Sequence, residues 1–161
     1  METTKNKTQA LTIKRTFNTP LDKVWKAWSD PETFKKWWGP KNYTCPQATI
    51  DFKVGGKLHA CMKDKKDGKE TWSIGTFKEI VPNKRIVVTD SFADKNGNII
   101  SASETGMKGM EGFPETLLIK LNFVEDHGKT EMTLEHEGMP EAMQEDCRKG
   151  WEESLDKIDQ L

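Results

Sequence analysis

Between Leu11 and Phe17 apolar and polar residues alternate, with Leu11, Ile13 and Phe17 on one side, the period of a strand that buries one face. Arg15 falls in the same phase, so this strand carries a guanidinium toward its dry side. The period then lengthens. Thr19-Pro20 reads as a helix cap followed by proline at the first helical position, with Asp22 near the positive helix end, and Leu21, Val24, Trp25 and Trp28 recur at helical spacing. Asp30-Pro31 repeats the signal, and Phe34, Trp37 and Trp38 follow at i, i+3 and i+4 until Gly39-Pro40 stops the run. Two short helices rich in tryptophan are expected back to back.

From Gln47 to His136 the punctuation is that of turns: Gly55-Gly56, Asp67-Gly68, Pro82-Asn83, Asn96-Gly97 and His127-Gly128. The runs between them predict an antiparallel meander. Its clearest strands place Leu117, Ile119, Leu121 and Phe123 in one phase, and Met132, Leu134 and His136 in another. Trp72 and Ile74 keep one phase while Phe77 takes the other, which predicts a bulge near Gly75 and a bend in the sheet. Ser101 to Pro114 has no period and reads as a long loop, a surface insertion or a lid. The last segment is an amphipathic helix: Met143, Cys147, Trp151, Leu155, Ile158 and Leu161 step by three or four residues along one stripe. Gly150 inside it costs about 1 kcal/mol relative to alanine, which calls for close packing or a bend beside Trp151.

Composition narrows the function classes. The 161 residues suit one domain, expected over 11–161 behind a flexible tail at 1–10. The 25 basic and 26 acidic side chains nearly cancel and are interspersed, so no basic stripe points to nucleic acid. No apolar run has the length of a signal peptide or a membrane span. Cys45, Cys61 and Cys147 are odd in number and lack a CxxC pair, which reads as free thiols in a reducing, cytoplasmic setting and indicates neither a disulfide framework nor zinc. His59 and His136 have no third ligand at metal spacing, so no metal and no cofactor are expected.

A strand, two short helices, a long meander and a final helix describe an α+β helix-grip arrangement, a curved antiparallel sheet wrapped around the C-terminal helix. The words NTPLDKVWKAWSDPETFKKWWGP, DFKVGGKL, GTFKEIVPNKRIVV, KTEMTLEHEGMP and GWEESLDKIDQL, running in order, resemble the family of activator of heat-shock-protein-90 ATPase homologues, within the SRPBCC or START-like superfamily. That resemblance implies the helix-grip fold and a superfamily of lipid carriers, hormone receptors, cyclases and aromatases. The chaperone activity in the family name belongs to larger proteins in which such a domain is joined to another.

The candidate ligand contacts follow from phase. Arg15 offers bidentate bonds to a carboxylate or phosphate, with an internal ion pair to a glutamate as the structural alternative. His136 places an ionisable ring on a dry face. Trp37, Trp38, Phe123, Met143, Cys147, Trp151 and Leu155 supply an apolar wall that is equally core. The expected partner is a small hydrophobic or amphipathic molecule of lipid, sterol-like or aromatic polyketide class, bound by a monomer or weak dimer. The competing readings are a protein-interaction module related to chaperone activation and a cyclase-like enzyme using Arg15, His136 or an inward acid, which a shifted-pKa pair at the cavity would favour.

Overall fold

The computed structural model describes residues 10–105 and 113–161. Within them the alternating segments pair into one antiparallel sheet of eight strands. The elements are β1 (Leu11–Phe17), α1 (Leu21–Ser29), α2 (Pro31–Phe34), β2 (Tyr43–Thr44), β3 (Ala48–Ile50), β4 (Lys57–Asp64), β5 (Glu70–Val81), β6 (Arg85–Ala93), β7 (Leu117–Asp126), β8 (Lys129–Glu137) and α3 (Glu141–Ile158). The strands lie in the order β1-β8-β7-β6-β5-β4-β2, and β3 pairs with β4. The curled sheet grips α3, which is the helix-grip fold.

Alternation along each strand becomes rows of side chains across the sheet. Leu11, His136, Ile119 and Val88 form one row, and Ile13, Leu134, Leu121 and Ile86 the next. All but His136 are apolar, and all are buried. These two rows therefore carry one titratable ring in an otherwise dry layer.

The helix starts divide. Asp30 caps α2 as its sequence predicts, its carboxylate accepting from the Thr33 N–H at 2.9 Å with Pro31 at the first helical position. Thr19 does not cap α1; Pro20 occupies that position, and the Leu21 N–H donates to the Glu125 carboxylate on β7 at 3.1 Å. A tertiary acceptor replaces the local one because Thr19 is drawn into the sheet, where its carbonyl accepts from the Thr130 hydroxyl at 2.7 Å.

The bulge is also displaced. The β5–β6 register shifts between Phe77 and Glu79 rather than at Gly75. Gly75 instead marks a close approach of two strands. A Cβ there would stand 2.1 Å from the Thr89 carbonyl oxygen, so only glycine lets β5 and β6 meet at this point.

In α3 the buried residues are Trp151, Ser154, Leu155 and Ile158. Met143 and Cys147 are half-buried, and Leu161, expected on the same stripe, lies past the helix end and is exposed. The loop between β6 and β7 contains a short 3-10 turn at Ala102–Thr105. Residues 106–112, the middle of the segment expected to be a surface insertion or a lid, lie outside the described residues, as does the tail at 1–9.

Gly150 needs no close packing, since a Cβ there would meet only the Pro40 ring, at an ordinary 3.5 Å. The two glycines should therefore respond oppositely to alanine. Gly150→Ala should stabilise the fold by up to about 1 kcal/mol, and Gly75→Ala should destabilise it by about 3 kcal/mol or more. Urea denaturation midpoints of the two variants check both signs.

Candidate ligand-binding site

Between α3, the turn after α2 and the inner faces of β5 and β6 lies a cavity of about 650 Å³. Its walls are mainly apolar, with Trp38, Phe92, Leu117 and Met139 among them. One wall depends on a lysine. The Lys157 ammonium donates to the carbonyls of Gly39, Pro40 and Tyr43 at 2.9, 3.1 and 3.1 Å, tying the turn after α2 to the helix. Burial pushes this amine below its usual range. All three of its donors face the same short turn, so it acts as a clasp for the rim of the cavity.

Of the expected contacts, Trp38, His136, Met143, Cys147 and Trp151 line the cavity. The other four are placed elsewhere. Trp37 is fully buried, its indole N–H donating to the Ala27 carbonyl at 2.7 Å and its ring packed against Trp28 and Phe34. Phe123 sits in the core with its ring edge-on to Trp25, and Leu155 is fully buried under the helix. The Arg15 guanidinium is taken up by α3, pairing with Glu152 at 3.1 Å and with Asp156 and Asp159. The ion-pair alternative is the one realised for Arg15, with two aspartates in addition to the glutamate. Strand phase places a side chain on the inner face, but the inner face is longer than the cavity.

His136 is nearly inaccessible and has partners on both ring nitrogens. Nε2 lies 3.1 Å from the Asp90 carboxylate, while Nδ1 accepts the Trp151 indole N–H at 3.1 Å and lies 3.7 Å from the Cys147 sulfur. An indole only donates, so this contact requires a lone pair on Nδ1 and places the neutral ring's proton on Nε2, toward Asp90. Burial works against a charged ring, but Asp90 and Cys147 outweigh it and raise His136 to about 9.

Asp90 was not anticipated from the sequence. Its signal was present: Ile86, Val88, Asp90 and Phe92 alternate, so the acid shares the inward phase of β6. His59, out of phase with Leu58 and Ala60, is half-buried, 3.0 Å from the Asp94 carbonyl oxygen and packed on Trp72. Among the described residues no group of His, Cys, Asp and Glu is arranged to hold a metal ion, and no helix is long and apolar enough to cross a membrane.

A sheet gripping a helix, with a mainly apolar cavity between them, defines the helix-grip class of α+β domains. The chain belongs to the family described as Activator of Hsp90 ATPase homolog 1-like protein, whose sequence model matches residues 18–161. It is 27% identical over 144 residues to the human protein "Activator of 90 kDa heat shock protein ATPase homolog 1" and 26% identical to its mouse counterpart, covering 88% of this chain in each case. It spans only 33% of the length of those relatives.

Solved structures share the fold. A protein from Chromobacterium violaceum superposes with a TM-score of 0.77 at 24% identity, over 95% of this chain and 96% of that one. One from Arthrobacter aurescens gives 0.76 at 24% identity, over 94% and 84%. CalU16 from Micromonospora echinospora gives 0.62 at 20% identity, over 94% and 74%.

The contacts of His136 predict its titration. Because the fold favours the imidazolium, His136 supplies its stability in full below its ordinary 6.5, and that stability is lost as pH rises through about 9. Asp90→Asn should lower the NMR midpoint of this ring, and Trp151→Phe, which removes the competing indole donor, should raise it.

Proposed function

We propose that this protein binds a small hydrophobic or amphipathic molecule in the cavity between the sheet and α3. The observation that carries the reading is the cavity itself: about 650 Å³, within the roughly 300–1,000 Å³ typical of small-molecule sites. Its character is also that of a binding site, with mainly apolar walls and a minority of polar groups that include the His136–Asp90 pair.

Lipids, sterols and aromatic polyketides should be tested against labelled protein by indole NMR. Binding in the cavity moves the Trp38 and Trp151 indole signals and leaves that of Trp37, which is bonded to Ala27, in place. Met143→Trp, which fills the space from α3, should weaken the affinity by about tenfold or more with the folded spectrum retained. Unmoved Trp38 and Trp151 signals with every class, or undiminished affinity in the Met143→Trp variant, overturn the reading.

A second reading, an interaction module acting on a chaperone ATPase, is supported by the match to the human and mouse activators. Adding the chain to purified Hsp90 should then raise its ATPase rate. An unchanged rate at saturating chain counts against it.

A further inference from the structure

Three groups far apart in sequence meet at one end of the cavity: Asp90 from β6, His136 from β8 and Cys147 from α3. They are in series, with the Asp90 carboxylate 3.1 Å from Nε2 of His136, and Nδ1 of the same ring 3.7 Å from the Cys147 sulfur. A carboxylate that orients an imidazole, which in turn faces a thiol, is the order of groups that activates a nucleophile. We propose that Cys147 is the nucleophile of this series and captures an α,β-unsaturated carbonyl compound covalently in the cavity.

The surroundings select that class of electrophile. Cys147 lies well inside α3, where its own N–H belongs to the helix ladder, so the sulfur has no oxyanion donor of the kind acyl transfer needs at the nucleophile's own amide. Conjugate addition places the developing charge farther away, on the carbonyl oxygen of the substrate. The walls formed by Phe92, Met139 and Met143 suit the hydrocarbon part of such a molecule.

The proton bookkeeping closes without a further reactant. In the neutral form of the ring, whose share grows as pH rises toward its midpoint of about 9, the Cys147 thiol proton passes to Nδ1 of His136 as sulfur bonds to the β-carbon, and the π pair of the carbon–carbon double bond becomes an enolate. The imidazolium then returns the proton to the α-carbon, leaving a saturated carbonyl compound joined to Cys147 by a thioether. While Nδ1 holds the proton it cannot accept from Trp151, so that indole N–H is released on the cavity wall as a donor for the enolate oxygen.

The Trp151 indole N–H occupies Nδ1 until the transferred proton displaces it, and the remaining groups against His136 do not compete for that nitrogen. Its strand neighbours are Leu11 on β1 and Ile119 on β7, both apolar, and among the described residues the other carboxylate on the cavity wall is Asp146 of α3. Cys45 and Cys61 serve as internal controls, since both are buried and burial pushes their thiols up to about 11.

The proposal rests on the cavity being a binding site, and the test separates the two. The protein is incubated with trans-2-nonenal, with the saturated alcohol 1-nonanol as a non-reactive partner, and followed by intact-mass and peptide mapping. One adduct per chain is expected at Cys147, formed about tenfold or more faster than on glutathione and absent from Cys45, Cys61 and a Cys147→Ser variant. His136→Asn should bring the rate to the glutathione value, and Asp90→Asn should displace the pH–rate profile, which a purely structural role would not do. Circular dichroism identifies any variant that has failed to fold, and Trp151→Phe then serves as the second probe by altering the rate without removing a member of the series. Addition at the glutathione rate, or addition indifferent to His136 and Asp90, overturns the proposal. Nonanol moving the Trp38 and Trp151 indole signals without nonenal addition overturns it while the binding reading stands; neither event removes both.

Discussion

The structure depends on how α3 is held against a sheet that curves away from it. Its buried stripe is short, ending in Trp151, Leu155 and Ile158, and toward its N-terminal end the stripe becomes half-buried at Cys147 and Met143. Apolar contact secures one end of the helix and leaves space at the other. Polar side chains hold the helix along its flanks: Arg15 to its carboxylates, Arg148 to the Thr12 carbonyl at 3.0 Å, and Lys157 to the turn after α2. The cavity is the volume that this uneven attachment leaves between helix and sheet.

Around that volume, tryptophans do two kinds of work. Trp28, Trp37, Phe34 and Trp38 form a chain of mostly edge-on contacts that continues to Trp151. One end of the chain is core, with Trp37 fully buried and its donor satisfied; the other is wall. Large rings with few rotatable bonds pack a core and still present a rigid face to an occupant. This is why the same residue type, in adjacent positions 37 and 38, falls on different sides of the boundary.

His136 links the polar end of the cavity to the packing of the helix. Its ring receives the Trp151 indole, so the side chain that closes the core also reports on the protonation state of the site. Asp90 and Cys147 favour the charged ring, while burial and the indole favour the neutral one. These opposed influences meet on one ring at the cavity wall.

Much of the architecture was legible along the chain. Period-two alternation marked the strands, because a sheet with one buried face requires it, and the three-and-four spacing of Trp151, Leu155 and Ile158 marked the face of α3. Asp30-Pro31 announced a helix start because its cap is made within three residues. What failed was non-local: the cap of α1 comes from Glu125, and the register shift falls where β5 meets β6. For the site, phase alone put nine residues on inner faces and brought five to the cavity, because it fixes which side a residue faces and not how far along that side the helix lies. The meeting of Asp90, His136 and Cys147 was beyond it for the same reason. Each is separated from the others by a strand or a turn of chain, and only the curvature of the sheet and the seating of α3 decide that they touch.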